Sequence, residues 1–143
     1  MLKRIKIVIS TLCLGLLVGC TSSLSWDDNI KKDIELLKNN NFYAYVLNSK
    51  EDIQEYNEGT NKEIKQEGYN FTVKFVNVYN MIETETSVSD YIAFAELSTK
   101  EEAKNYYTFL NRENRMYKMY ISETIVIITT SDKAIELLNY KFK

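Results

Sequence analysis

Residues 7–17 of this 143-residue chain form an apolar block unlike anything that follows it. Beyond residue 25 the apolar positions recur at short intervals between charged ones, the pattern of amphipathic helices and half-buried strands. Trp26, Ile30, Ile34 and Leu37 fall near one helical face, and Ser25 with Asp28 reads as the capping box that opens that helix. "FYAYVL" at residues 42–47 and "YIAFA" from Tyr91 are apolar on both faces, as strands covered on two sides should be. "YNFTVKF" at residues 69–75 alternates instead, with Phe71, Val73 and Phe75 on one side and Thr72 and Lys74 on the other. It predicts an edge strand with one wet face. The polar run "ETETSVSD" at residues 83–90 fits a hairpin loop. Residues 98–114 carry the cleanest helical stripe, Ala103, Tyr106, Tyr107 and Leu110. "IVII" at residues 125–128 predicts a further strand, "MYKMYISE" before it has room for another, and a last helix begins near Lys133.

Three stretches, "YVLNSKEDIQEY", "FAELSTKEEAKNYY" and "IITTSDKAIELL", each run from an apolar strand through Ser, Thr or Asn into a charged helix start. The first helical N–H groups need acceptors, and Ser49 with Asp52, Ser98 with Glu101, or Thr99 with Glu102 can supply them. The resulting order is helix, strand, helix, strand, strand, helix, strand, helix. It predicts an α+β domain with a ferredoxin-like, split β-α-β antiparallel sheet of four or five strands, extended by N- and C-terminal helices. In that layout the first and third strands are central and the second lies at an edge. "IVII" fits poorly there, being apolar throughout yet assigned to the other edge. The helices from Lys50 and Ser98 would cover one sheet face. A terminal helix, a second copy or a ligand must cover the other, and intramolecular cover is the first expectation.

The N-terminal block has a meaning of its own. Lys3, Arg4 and Lys6 precede it without any acid, and it is shorter than the roughly 20 apolar residues a bilayer span needs. It ends on Leu17, Val18, Gly19 and Cys20. Those four residues resemble the lipobox of bacterial prolipoproteins, which the lipoprotein-specific peptidase recognises. The resemblance implies that Cys20 receives a diacylglyceryl group and becomes the first residue of the mature chain, anchored in the membrane and facing away from the cytoplasm. It implies a signal peptide at residues 1–19, a lipidated cysteine and tether at residues 20–25, and one α+β domain at residues 26–143. The tether, at an extended reach of ~17 Å, would hold that domain close to the membrane.

Cleavage there changes the charge balance. Three of the 18 basic residues leave with the signal, so 15 face 20 acidic ones and the mature net charge is −5. A basic nucleic-acid-binding face is thereby excluded. Cys13 departs and Cys20 is acylated, leaving no thiol for a disulfide. There is no histidine and no glycine-rich phosphate loop, so Ser-His-Asp and Cys-His catalysis, Cys/His zinc sites and nucleotide cradles are not expected. No catalytic residue, metal site or cofactor is assigned. The mature chain has no proline and only Gly59 and Gly68, so its turns must rely on Asn, Asp and Ser.

Paired acids remain: Asp27 with Asp28, Glu51 with Asp52, Glu83 with Glu85, and Glu101 with Glu102. A carboxylate-dependent hydrolase of cell-envelope material would need two of them facing one substrate. Acids in a helix's first turn also favour the helix dipole, which accounts for most of these. All 11 tyrosines lie after residue 20, and Tyr43 with Tyr45 is the tentative ligand face. The expected role is a non-catalytic binding or assembly module beside the membrane, with a protein partner or homodimer through a sheet face as the candidate assembly.

Overall fold

The computed structural model describes residues 26–45, 49–83, 90–112 and 117–143. The lipobox, Cys20, the tether and Ser25 lie outside the described residues, as do residues 84–89 of the expected hairpin loop. Nine elements follow in order: α1 (Asp28–Lys38), β1 (Phe42–Tyr45), α2 (Lys50–Gln66), β2 (Phe75–Glu83), β3 (Tyr91–Leu97), α3 (Lys100–Leu110), β4 (Lys118–Ser122), β5 (Ile125–Thr129) and α4 (Asp132–Leu138). The chain is an α+β protein with a five-stranded antiparallel sheet and helices at both ends.

Two helix starts, those of α2 and α3, are built as the sequence predicts. Ser49 and Asp52 form a capping box on α2, and Thr99 and Glu102 form one on α3. α1 differs from the expected Ser25–Asp28 box: its N-cap is Asp27, whose carboxylate accepts the Asn29 N–H at 2.6 Å. Two of the asparagines take the left-handed turns that glycine would otherwise fill, Asn41 at φ 68° and Asn139 at φ 52°.

The β-α-β-β-α-β succession of the split layout is present, with β4 inserted before the last strand. The lateral order is β1-β2-β3-β5-β4. β3 is central as expected, whereas β1 lies at an edge and β2 inside. The added β4 takes the other edge and leaves β5, the "IVII" strand, fully flanked. Its uninterrupted apolar character is thereby explained.

Residues 69–74, expected to begin an edge strand, are not part of the sheet. Their alternation is genuine, since Val73 and Phe75 are buried, but the backbone pairs with helix side chains instead. Asn61 accepts from Val73 N–H at 2.8 Å and donates to its carbonyl at 2.7 Å. Asn57 treats Phe75 the same way, at 2.7 and 3.2 Å. These two amides replace a neighbouring strand.

Both sheet faces are covered from within. On one, α2 and α3 bring Ile64, Ala103, Tyr106, Phe109 and Leu110 onto Phe75, Val78, Ala95, Val126 and Ile128. On the other, α1 and α4 bring Trp26, Ile30, Ile34, Leu37, Ala134 and Leu138 onto Phe42, Met81, Ile92, Phe94 and Ile127. The terminal helices therefore supply the second cover.

Candidate functional site

The best-defined concavity bounded by described residues lies between the N-terminal half of α1 and the β4–β5 hairpin, with a volume of about 590 Å³. Ile30 of α1 and Ile125 and Ile127 of β5 give it apolar walls, and Tyr120 of β4 and Tyr140 after α4 add aromatic surface. The two phenol rings stack at 4.4 Å between centroids and 16° between planes, with Phe142 set against both. Residues after α4 return to the sheet because Lys143 exchanges both backbone hydrogen bonds with Met119 on the outer side of β4, each at 2.9 Å. That exchange carries Tyr140 to the cleft.

The charged lining is mostly acidic: Asp27, Asp33, Glu96 and Glu123, against one cation, Lys32. Each carboxylate has a protein partner. Asp27 caps its own helix. Asp33 accepts the Tyr140 hydroxyl at 2.5 Å, Glu96 accepts the Asn77 amide at 2.5 Å, and Glu123 pairs with Lys100. Glu123 sits at the hairpin tip in a left-handed conformation, φ 53°, which turns its backbone into the rim.

Asp33 is the perturbed group. Partial burial raises it above the ordinary aspartate value of 3.8, the Tyr140 hydrogen bond pulls the other way, and the charge of Asp27 raises it further. Tyr140 is raised in turn, by burial first and then by its bond to a carboxylate. The cleft thus favours positive charge and hydrogen-bond donors over anions. Among the described residues no group of three His, Cys, Asp or Glu is placed to hold a metal ion.

The residues singled out in the sequence are mostly used elsewhere. Asp28 pairs with Lys31 at 3.1 Å, Asp52 and Glu102 complete capping boxes, and Glu51 and Glu101 stand in first helical turns. Glu83, only 7% exposed, meets Lys133 at 2.8 Å and Ser131 at 3.4 Å. Glu85 lies outside the described residues. Tyr43 is exposed beside Ile82 at the β1 edge, away from the cleft, and Tyr45 pairs by its backbone with Asn80. The Tyr45 side chain is outside the described set.

Other tyrosines are core. Tyr56 and Tyr106 share a hydroxyl contact at 3.2 Å under α2 and α3, and burial raises both phenols. Sequence reasoning assigned neither Asp33, Tyr120 nor Tyr140 to a site. Asp33 and Tyr140 are 107 residues apart, and only the fold of the C-terminal residues over β4 joins them.

No helix among the described residues is long and apolar enough to cross a membrane. Comparison with protein-family models, with curated proteins and with solved structures finds no match for this chain.

Proposed function

We propose that this chain is a bacterial lipoprotein, anchored through lipid on Cys20 outside the cytoplasm, whose domain is a non-catalytic binding module working close to the membrane. The anchor rests on Leu17, Val18, Gly19 and Cys20. The binding role rests on one observation: a cleft of ligand size, walled by stacked tyrosines, whose carboxylates are each held by a protein partner. Such a site offers surface and hydrogen-bond acceptors. It suits a small ligand with an apolar face and amino groups, in preference to an anion. The cleft includes Asp27, the cap of α1 and seven residues beyond Cys20, so its ligand would be met at the membrane surface.

Titrating the protein with glucosamine, spermidine and inorganic phosphate, and following backbone amide shifts, tests the role. The reading expects the amines to move Asn29, Ser122 and Thr124, with phosphate inert there. Shifts confined to phosphate, or to residues on the α2/α3 face, would contradict it.

A second reading, a carboxylate-dependent hydrolase acting on cell-envelope material, is favoured by the raised Asp33 beside three further carboxylates. Cleavage of purified envelope glycan that disappears in Asp33→Asn would establish it. No cleavage by the parent protein would leave the binding role.

A further inference from the structure

The two sheet edges are finished differently. At β4, Lys143 occupies the outward backbone groups of Met119. At β1 no described strand pairs on the outer side. Antiparallel neighbours bond through alternate residues, and the Glu83 N–H donates to the Asp90 carbonyl across β2 and β3. Residues 80 and 82 of β2 therefore turn their backbone groups toward β1, where their register partners are Tyr45 and Tyr43. Phe42 and Ala44 are left with N–H and C=O pointing away from the sheet. Exposed edges are usually blunted by charge, proline or a bulge. β1 is short, at four residues, but "FYAY" carries no charge, proline or bulge.

The surroundings of that edge are apolar as well. Tyr43 is 57% exposed and its cross-strand partner Ile82 is 39% exposed, both on the α2/α3 side. We infer that β1 is the seam of a homodimer, in which a second copy adds its own β1 antiparallel across a twofold axis at Ala44. The pairing gives Ala44 both of its missing hydrogen bonds from Ala44 of the other copy, with no charged residue brought against its like. A twofold normal to the sheet puts both α2/α3 faces on one side, so the two Tyr43–Ile82 patches adjoin. A lone peptide strand would satisfy the backbone and leave those side chains in water. Both α1 helices fall together on the opposite side, as two chains tethered in one membrane require. The seam is isologous and uses each β1 edge once, so this pairing is complete at two copies.

The test uses the full chain extracted from membranes in detergent. Ala44→Cys should form a reducible species of twice the chain mass, because hydrogen-bonded antiparallel partners stand about 5.5 Å apart at Cα, within disulfide reach. The parent and Glu55→Cys, on the exposed surface of α2, should not. The parent should also sediment as two copies. Ala44→Pro removes only an outward N–H, so it should halve the mass while leaving the circular dichroism spectrum unchanged. A parent of single-copy mass, a dimer that persists in Ala44→Pro, or an Ala44→Cys protein that pairs with a different chain or not at all would each overturn the seam.

Discussion

Asp33 is where a single residue says most about this protein. It stands on α1 yet is held by Tyr140, so its carboxyl reports how the first helix and the last residues meet. Burial raises its pKa above 3.8, which means that the folded state binds more protons than the unfolded chain as pH rises through that window. Stability should fall as pH climbs from the ordinary value to the raised one, with the cost fully present above it. Denaturant unfolding followed between about pH 3 and about pH 7 should show a shallower decline in Asp33→Asn than in the parent. An identical slope would mean that the carboxyl is not perturbed. Tyr140→Phe removes the hydrogen bond that favours the ionised form. In that variant the Asp33 pKa, read by carboxyl carbon shifts, should rise further rather than fall. Asp33 could not have been chosen from the sequence, where it is one acid among twenty and its partner is 107 positions away.

At the scale of elements, the asparagines of α2 act as a substitute strand. Replacing Asn57 and Asn61 together by Ala strips partners from the backbone of Val73 and Phe75, whose side chains are buried. The expected cost is roughly 2 to 4 kcal/mol. Equilibrium unfolding of the double variant checks it, and a loss below about 0.5 kcal/mol would show that water replaces the amides freely. Period-2 alternation marked residues 69–75 as extended and half-buried, which they are. It could not tell a strand neighbour from a helix side chain. β2 was hidden for the converse reason: Asn77, Asn80 and Glu83 interrupt its apolar positions, although Glu83 is itself buried on Lys133. The helix starts were far more legible. A capping box is written in four consecutive residues, whereas the lateral order of strands depends on partners remote in sequence.

For the whole molecule, the decisive property is a sheet closed on both faces by its own helices. Apolar runs on both sides of "FYAYVL" and "YIAFA" announced that need, although the first of them lies at an edge with Tyr43 exposed, and the amphipathic residues 26–37 announced the piece that meets it. Deleting residues 26–38 should bare Phe42, Met81, Ile92 and Phe94, so the shortened protein should bind a hydrophobic dye that the parent does not. A variant that leaves the dye dark would mean that α4 alone suffices. Since the same helix leads back to Cys20, the element that seals the core also carries the domain at the membrane in the proposed arrangement. The anchor is the claim on which that arrangement depends, and the mass of the N-terminal peptide tests it most directly. Protein purified from the membranes of its native cell should begin at Cys20 and carry the added mass of a diacylglyceryl group. In Cys20→Ala the precursor should persist, unlabelled by radioactive palmitate. A mature protein that begins elsewhere, or that bears no lipid on Cys20, would contradict it.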